Sequence, residues 1–343
     1  MDYKNRIQYI DIARGLGLIL LVAGHLFTLQ ESTSNIIYSF HMPLFFLLSG
    51  LCIKKEALTA SFKKHFIMAV KKCLLPWLVY FVIGLFISII IPSWRSNITS
   101  INLILTFYLL QPDAFHIGQI WFLACLFWVK LLFYPIYHFV FKKHNVFFTI
   151  LTLFGQFAFA INLMKLWSPF CELVIPFKIG SSTMALFFYS LGFLLAPILE
   201  EFNRNNTLKS KIIIAALLFV TTLYLGSING TVNLCEMVYN DTGLYLLSST
   251  IGSLAIIILA MIISKKEKFI SYIGQNSIRF FAFHSYAIYV YASILSLYHH
   301  NTVIAMKNIN NLEAFIGTIL ITLLMGGLIY GTKTIMVCSI NRQ

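Results

Sequence analysis

The first long apolar run of the chain contains three ionisable residues, Asp11, Arg14 and His25. On a helix Asp11 and Arg14 stand at i, i+3, close enough to pair and to lower each other's cost of burial. Arg14 and His25 lie about three turns plus 20° apart, so they share one face at a separation of roughly 16 Å. A guanidinium suited to an anionic group and an imidazole suited to proton transfer are thus set along one line. Histidine is the commonest general base, and a positioned one contributes about 10²–10⁴-fold. His41 lies about five residues into the next apolar run, where a helix returning from the far side places it near the depth of His25. His116, followed by Trp121, precedes a later run on that same side, and Ser39, Ser49 and His284 extend the polar lining. Lys71 and Lys72 come just before Leu74-Leu75-Pro76, at the mouth of a further run, where they can grip an anionic cofactor. The catalytic candidates are therefore His25, His41 and His116. The cofactor-binding candidates are Arg14, Lys71 and Lys72, and the supporting ones are Asp11, Trp121 and His284.

Each of these has a plainer reading. Arg14 can snorkel to the headgroups with Asp11 as its partner. His25, His41 and His284 can be core histidines satisfied by backbone carbonyls. Lys71 and Lys72 fit a simple cytoplasmic charge bias. His65, His138 and His144 read as loop or interfacial residues, and His299 and His300 as lying near an interface. Trp94 and Trp167 read as belt anchors at span edges. The six cysteines show no C-x-x-C spacing and read as small packing residues, with neither a metal nor a disulfide expected.

The elements that must hold these residues follow from composition. Of 343 residues, 59% are hydrophobic and 11% charged, against about 25% charged in an ordinary soluble domain. Such a chain cannot cover a water-facing surface, which excludes a soluble Rossmann-type enzyme, a disordered chain and a small disulfide scaffold. Helices that cross a hydrocarbon core need about 20 apolar residues. Ten spans fit, at 8–29, 36–53, 73–92, 117–140, 146–164, 182–199, 211–229, 244–263, 277–299 and 314–337. The expected fold is an all-α bundle of about ten transmembrane helices forming a single domain over 1–343 with no fused soluble domain. Residues 101–111 are apolar but too short to span and read as an interfacial or re-entrant helix.

The net charge of +13 is unevenly placed. With the N-terminus inside, seventeen of the 25 Lys and Arg fall in cytoplasmic segments and four, Arg95, Lys165, Lys178 and Lys307, on the other side. That bias puts both termini in the cytoplasm and explains the basic balance without nucleic acid. Arg14 inside the first run and the lack of an A-x-A site argue that this span is retained rather than cleaved. No phosphate loop, HExxH, GxSxG or internal repeat is present.

The run Tyr9-Ile10-Asp11-Ile12-Ala13-Arg14-Gly15 with Ala23-Gly24-His25 resembles the R-x10-H signature of integral membrane acyltransferase family 3. Phe40-His41-Met42-Pro43-Leu44-Phe45-Phe46-Leu47-Leu48-Ser49-Gly50 is similar to the second helix of its fucose 4-O-acetylase-like branch. Lys71-Lys72 through Pro76 resembles the family's basic patch, with lysines where many relatives have arginines, and Ile120-Trp121-Phe122-Leu123 resembles its W-F-L segment. Tyr272-Ile273-Gly274-Gln275-Asn276-Ser277 leading to His284 fits as well.

The resemblance implies acyl transfer from acetyl-CoA to a hydroxyl of a carbohydrate acceptor, a surface polysaccharide or its lipid-linked precursor, in a multi-pass protein of the bacterial inner (plasma) membrane. Its partners are then the glycan and the lipid bilayer. His25 is the expected general base, with His41 or His116 orienting it, positioning the sugar or stabilising the oxyanion. Direct transfer is the default, and an acyl-histidine intermediate is the other route. Two other readings share the pattern: a transporter or flippase for a polar or lipid-linked solute, and an O-succinyltransferase or longer-chain acyltransferase on the same scaffold.

Overall fold

The computed structural model describes residues 7–26, 31–167, 176–264, 267–298 and 311–340. In chain order the helices are α1 (Gln8–Leu26), α2 (Glu31–Leu51), α3 (Lys55–Thr59), α4 (Phe62–Ala69), α5 (Leu75–Ile90), α6 (Ser100–Leu109) and α7 (Trp121–Phe139). They continue as α8 (Val146–Trp167), α9 (Ile179–Asn205), α10 (Leu208–Asn229), α11 (Thr242–Ile263), α12 (Phe269–Gln275), α13 (Ser277–Tyr298) and α14 (Asn311–Ile340). Among the described residues ten helical segments are long and apolar enough to cross a membrane, and no strand forms. This is the architecture that a lipid solvent selects, because a helix satisfies its backbone polar groups within itself. The expected short apolar helix is α6.

One span differs from the sequence expectation. Instead of starting at 73, helix runs unbroken from Phe62 to Ile90, so Lys71 and Lys72 sit within a rod rather than at its mouth. The join is a π turn, Val70–Leu74, closed by the Leu75 amide donating to the Val70 carbonyl. Pro76 is the physical reason that continuity was hard to read. It lacks an amide to return to Lys72, and such a residue signals a helix start as readily as a bent interior. π turns of this kind are frequent at functional sites.

The chain forms two compact units. The first comprises Met1–His41, Asn206–Thr231 and Gly243–Gln343. Its tightest seam joins α1 to α12. A Cβ on Gly15 would overlap the Ile270 carbonyl, and one on Gly274 would overlap the Asp11 carbonyl. In lipid, where apolar burial between helices supplies little driving force, such small residues let backbones approach and recover dispersion energy. Gly226 against Ile36 and Gly252 against Phe40 bring α10 and α11 onto α2 in the same way. The Ser249 hydroxyl, fully buried, donates to the Ser39 carbonyl across that contact.

The second unit comprises Met42–Asn205 and Val232–Thr242. Here Gly50 packs on the Tyr189 backbone and Gly192 on that of Leu47, joining α2 to α9. The segment 232–242 is a small hairpin closed by paired backbone bonds between Asn233 and Val238, 2.7 and 2.9 Å. Burial separates helices by role. Of the apolar window of α1, 72% is buried, against 6% for α8, so the ionisable residues are carried by an interior helix.

Candidate active site

Asp11, Arg14 and His25 all lie on α1. Arg14 Nη1 is 3.3 Å from Asp11 Oδ1, the i, i+3 pairing expected from spacing. Asp11 is buried at 4% side-chain exposure while Arg14 keeps 24%. The guanidinium thus reaches outward from a buried carboxylate, which offsets its charge and holds its direction.

His25 is part-exposed near the C-terminal end of α1. Gly24 beside it lets α2 approach: a Cβ there would stand 3.1 Å from Ile37 and 3.3 Å from Tyr38. That approach sets Tyr38 Oη 3.2 Å from His25 Nδ1. Sequence reasoning passed over Tyr38, whose only signal was its place three residues before His41 on one helix face. The Tyr38 ring also meets the His41 ring edge-on, with centroids 4.8 Å apart.

His41 and His284 are buried, and each spends Nδ1 on its own helix. His41 Nδ1 donates to the Ile37 carbonyl at 2.9 Å and His284 Nδ1 to the Phe281 carbonyl at 2.8 Å. The plainer backbone-satisfied reading therefore describes one nitrogen of each ring. A proton on Nδ1 leaves Nε2 of the neutral ring as a lone-pair acceptor. In His284 that Nε2 is buried without a hydrogen-bond partner, a state that costs about 1–3 kcal/mol. The His284 ring stacks on His25 with centroids 5.3 Å apart and planes at 26°. His25, Tyr38, His41 and His284 are thus one cluster within the first unit. Ser39 and Ser49 spend their hydroxyl protons on the Ile36 and Phe45 carbonyls of α2.

The other candidates lie in the second unit. Lys71 and Lys72 are exposed on the π turn. Lys72 is within electrostatic reach of Lys54, just beyond α2, and Lys130 of α7, two lysines that the loop-by-loop charge count had not connected. Lys130 Nζ stands 5.9 Å from the Tyr189 ring. Among the described residues no carboxylate pairs with Lys54, Lys72 or Lys130, so like charges gather there without a counterion. That is the electrostatic form of an anion site.

His116 follows a short 3₁₀ turn with φ 57° and packs against the Trp94 ring, centroids 4.2 Å apart and planes tilted by 35°. Asn97 Nδ2 lies 3.5 Å from His116 Nε2. Burial lowers the His116 pKa from its ordinary value. Trp121, at the start of α7, is 7% exposed. His65, read as interfacial, is buried with its ring nitrogens 3.2 Å from the Ala57 carbonyl and 3.0 Å from that of Lys130. None of Cys52, Cys73, Cys125 and Cys235 is in a disulfide. His299, His300, Lys307 and Cys171, and the side chain of Trp167, lie outside the described residues.

Residues 7–330 match the family model described as an acyltransferase domain, that of acyltransferase family 3. No curated protein and no solved structure matches the chain. The match runs from the start of α1 through the described side chains of α14, and so takes in the charged pair, the histidine cluster and the lysine group alike. On that coverage the chain belongs to acyltransferase family 3 and is a multi-pass membrane acyltransferase.

Proposed function

We propose that the chain transfers an acetyl group from acetyl-CoA to a hydroxyl of a cell-surface polysaccharide or its lipid-linked precursor, with His25 as general base. The observation that carries this reading is the Tyr38 contact at His25 Nδ1. With Nδ1–H donating to Tyr38 Oη, the imidazole presents the lone pair of Nε2 to a substrate while remaining part-exposed. His41 and His284 have the same Nε2 polarity but are buried.

In the proposed step, His25 Nε2 takes the acceptor hydroxyl proton as that oxygen attacks the thioester carbonyl carbon. The C–S bond then breaks, and the departing thiolate takes the proton from His25, which returns to neutral. His41, edge-on to Tyr38, supports the orientation of the base; in the second unit His116 with Trp94 offers an aromatic face suited to a sugar ring. In the first unit Arg14 is the residue suited to a donor phosphate; in the second unit Lys71 and Lys72, with Lys54 and Lys130 beside Lys72, form a cationic group suited to the same chemistry. Lysines meet phosphate as point charges rather than as a bidentate fork, so this grip is electrostatic and salt-sensitive. The lysine bias supports cytoplasmic termini, and the reading sets the chain in a bacterial inner membrane.

The test is glycan acetylation in membranes supplied with labelled acetyl-CoA. A stably expressed His25→Ala protein is expected to lose transfer, and retained label would remove His25 as base. Arg14→Ala is expected to need more donor for the same rate. An unchanged donor dependence would count against a phosphate role.

A further inference from the structure

Lys178 was expected to be a loop charge, yet it is 2% exposed within the second unit. Among the described residues its ammonium makes two hydrogen-bond contacts, both to Cys235: 3.4 Å to the carbonyl oxygen and 3.3 Å to Sγ. The first is at the outer limit of a hydrogen bond, and a thiol is a weak acceptor, so three strong donors are poorly used. Asp113 acts on Lys178 electrostatically from beyond ion-pair distance. The Trp121 ring offsets part of the cost of burying this cation, and among the described residues no carboxylate pairs with it to offset the rest.

The backbone that presents it is costly too. Phe177 and Lys178 are consecutive left-handed residues, φ 57° and 58°, with neither a glycine. Such conformations cost on the order of 1–3 kcal/mol each and persist where the surroundings impose them. Trp128 Nε1 donates to the Phe177 carbonyl between the two residues at 2.9 Å. A neutral residue in an ordinary turn would avoid both costs.

We propose that Lys178 and Trp121 form a binding site for an anionic sugar, with the ammonium taking its carboxylate or phosphate and the indole taking a ring face. Lys178 Nζ lies over the Trp121 ring, 5.8 Å from its centroid, so the charge and an aromatic ring are within reach of one ligand. Gln111 accepts from Cys235 Sγ at 3.3 Å and donates to Asp113, bringing an amide and a carboxylate that suit sugar hydroxyls. Cys235 sits on the hairpin Val232–Thr242, so an anion that replaces its carbonyl and thiol on the ammonium displaces that hairpin. The biological meaning rests on the carbohydrate acceptor proposed above; the binding itself is measured without turnover.

The full chain in lipid nanodiscs is melted with glucuronate, glucose 1-phosphate or glucose, and the variants Lys178→Met and Lys178→Arg are run beside it. An upward shift of about 2 °C or more is expected with at least one of the two anionic sugars and not with glucose. Glucuronate would point to an acidic sugar, glucose 1-phosphate to a sugar phosphate. Lys178→Met is expected to abolish the shift while melting no lower than the parent, because it removes a poorly compensated buried charge, and Lys178→Arg to retain it. No shift with either anion, an equal shift with glucose, or a shift that survives Lys178→Met overturns the site. A Lys178→Met protein that melts well below the parent, with the shift also lost in Lys178→Arg, assigns the lysine to structure instead. Failure of acetyl transfer with the anion shift intact counts against the acetylation reading alone.

Discussion

Tyr38 Oη stands 3.2 Å from His25 Nδ1, in a contact between α1 and α2 that Gly24 leaves room for. The consequence is directional. With one ring nitrogen held, the other is the one offered to chemistry, and ring rotation is restricted by a residue of a different helix. The stacked His284 ring, 5.3 Å away, restricts the same ring from its face.

Tyr38→Phe keeps the ring contact to His41 and removes only the hydroxyl at His25. The lost hydrogen bond and orientation are expected to lower kcat by about 5–30-fold, the effect of roughly 1–2 kcal/mol on the barrier, with donor KM little changed. Steady-state acetyl transfer in membranes measures the split. An unchanged kcat would leave Tyr38 as packing.

The α1–α12 seam predicts a contrast among glycines. Gly274→Ala places a methyl into the Asp11 carbonyl, and Gly15→Ala places one into that of Ile270, in both cases against backbone that cannot rotate away. Each is expected to destabilise by about 1–3 kcal/mol or more and to disturb Asp11, whose carboxylate holds Arg14. Gly155→Ala on α8 meets nothing within 4 Å and is expected to be neutral or to stabilise by up to about 1 kcal/mol through helix propensity. Thermal unfolding of the three proteins in one detergent decides it.

These positions show which parts of the molecule sequence can convey. Apolar length is a property of one segment, so the presence of ten spans was legible, though not where the third begins, as was the Asp11–Arg14 pair, fixed by helical spacing alone. Contacts between helices depend on rotation and depth that no single segment records. Tyr38 beside His25, and Lys130 and Lys54 near Lys72, were therefore out of reach. Lys178 misled for a related reason. Its flanking loop composition signals solvent, and only tertiary packing covers it with Cys235. The π turn was hidden because Pro76 carries the same local signature at a helix start as inside a bent helix.

The lysine group predicts a donor effect that is separable from chemistry. Lys130→Gln and Lys72→Gln each remove one charge from an uncompensated set, and each is expected to raise donor KM several-fold with kcat kept. Because exposed charges are screened by ions, the parent's donor KM should rise with salt, and the rise should be shallower in each variant. A kcat loss with unchanged KM would place these lysines in the fold rather than at the donor.

His116 supplies a pH dependence with a definite sign. Burial lowers its pKa below the ordinary 6.5, so the folded chain favours the neutral ring and the unfolded chain binds the proton more readily. Stability from this group is then fully present above about 6.5 and lost as pH falls toward the lower folded value. His116→Phe keeps an aromatic ring for Trp94 and removes the titration. The difference in melting temperature between parent and variant is therefore expected to move against the parent between pH 8 and pH 5. Taking the difference between the two proteins cancels His25, His41 and His284, which are common to both. A difference that stays constant across that range would show that His116 titrates alike in the folded and unfolded chains.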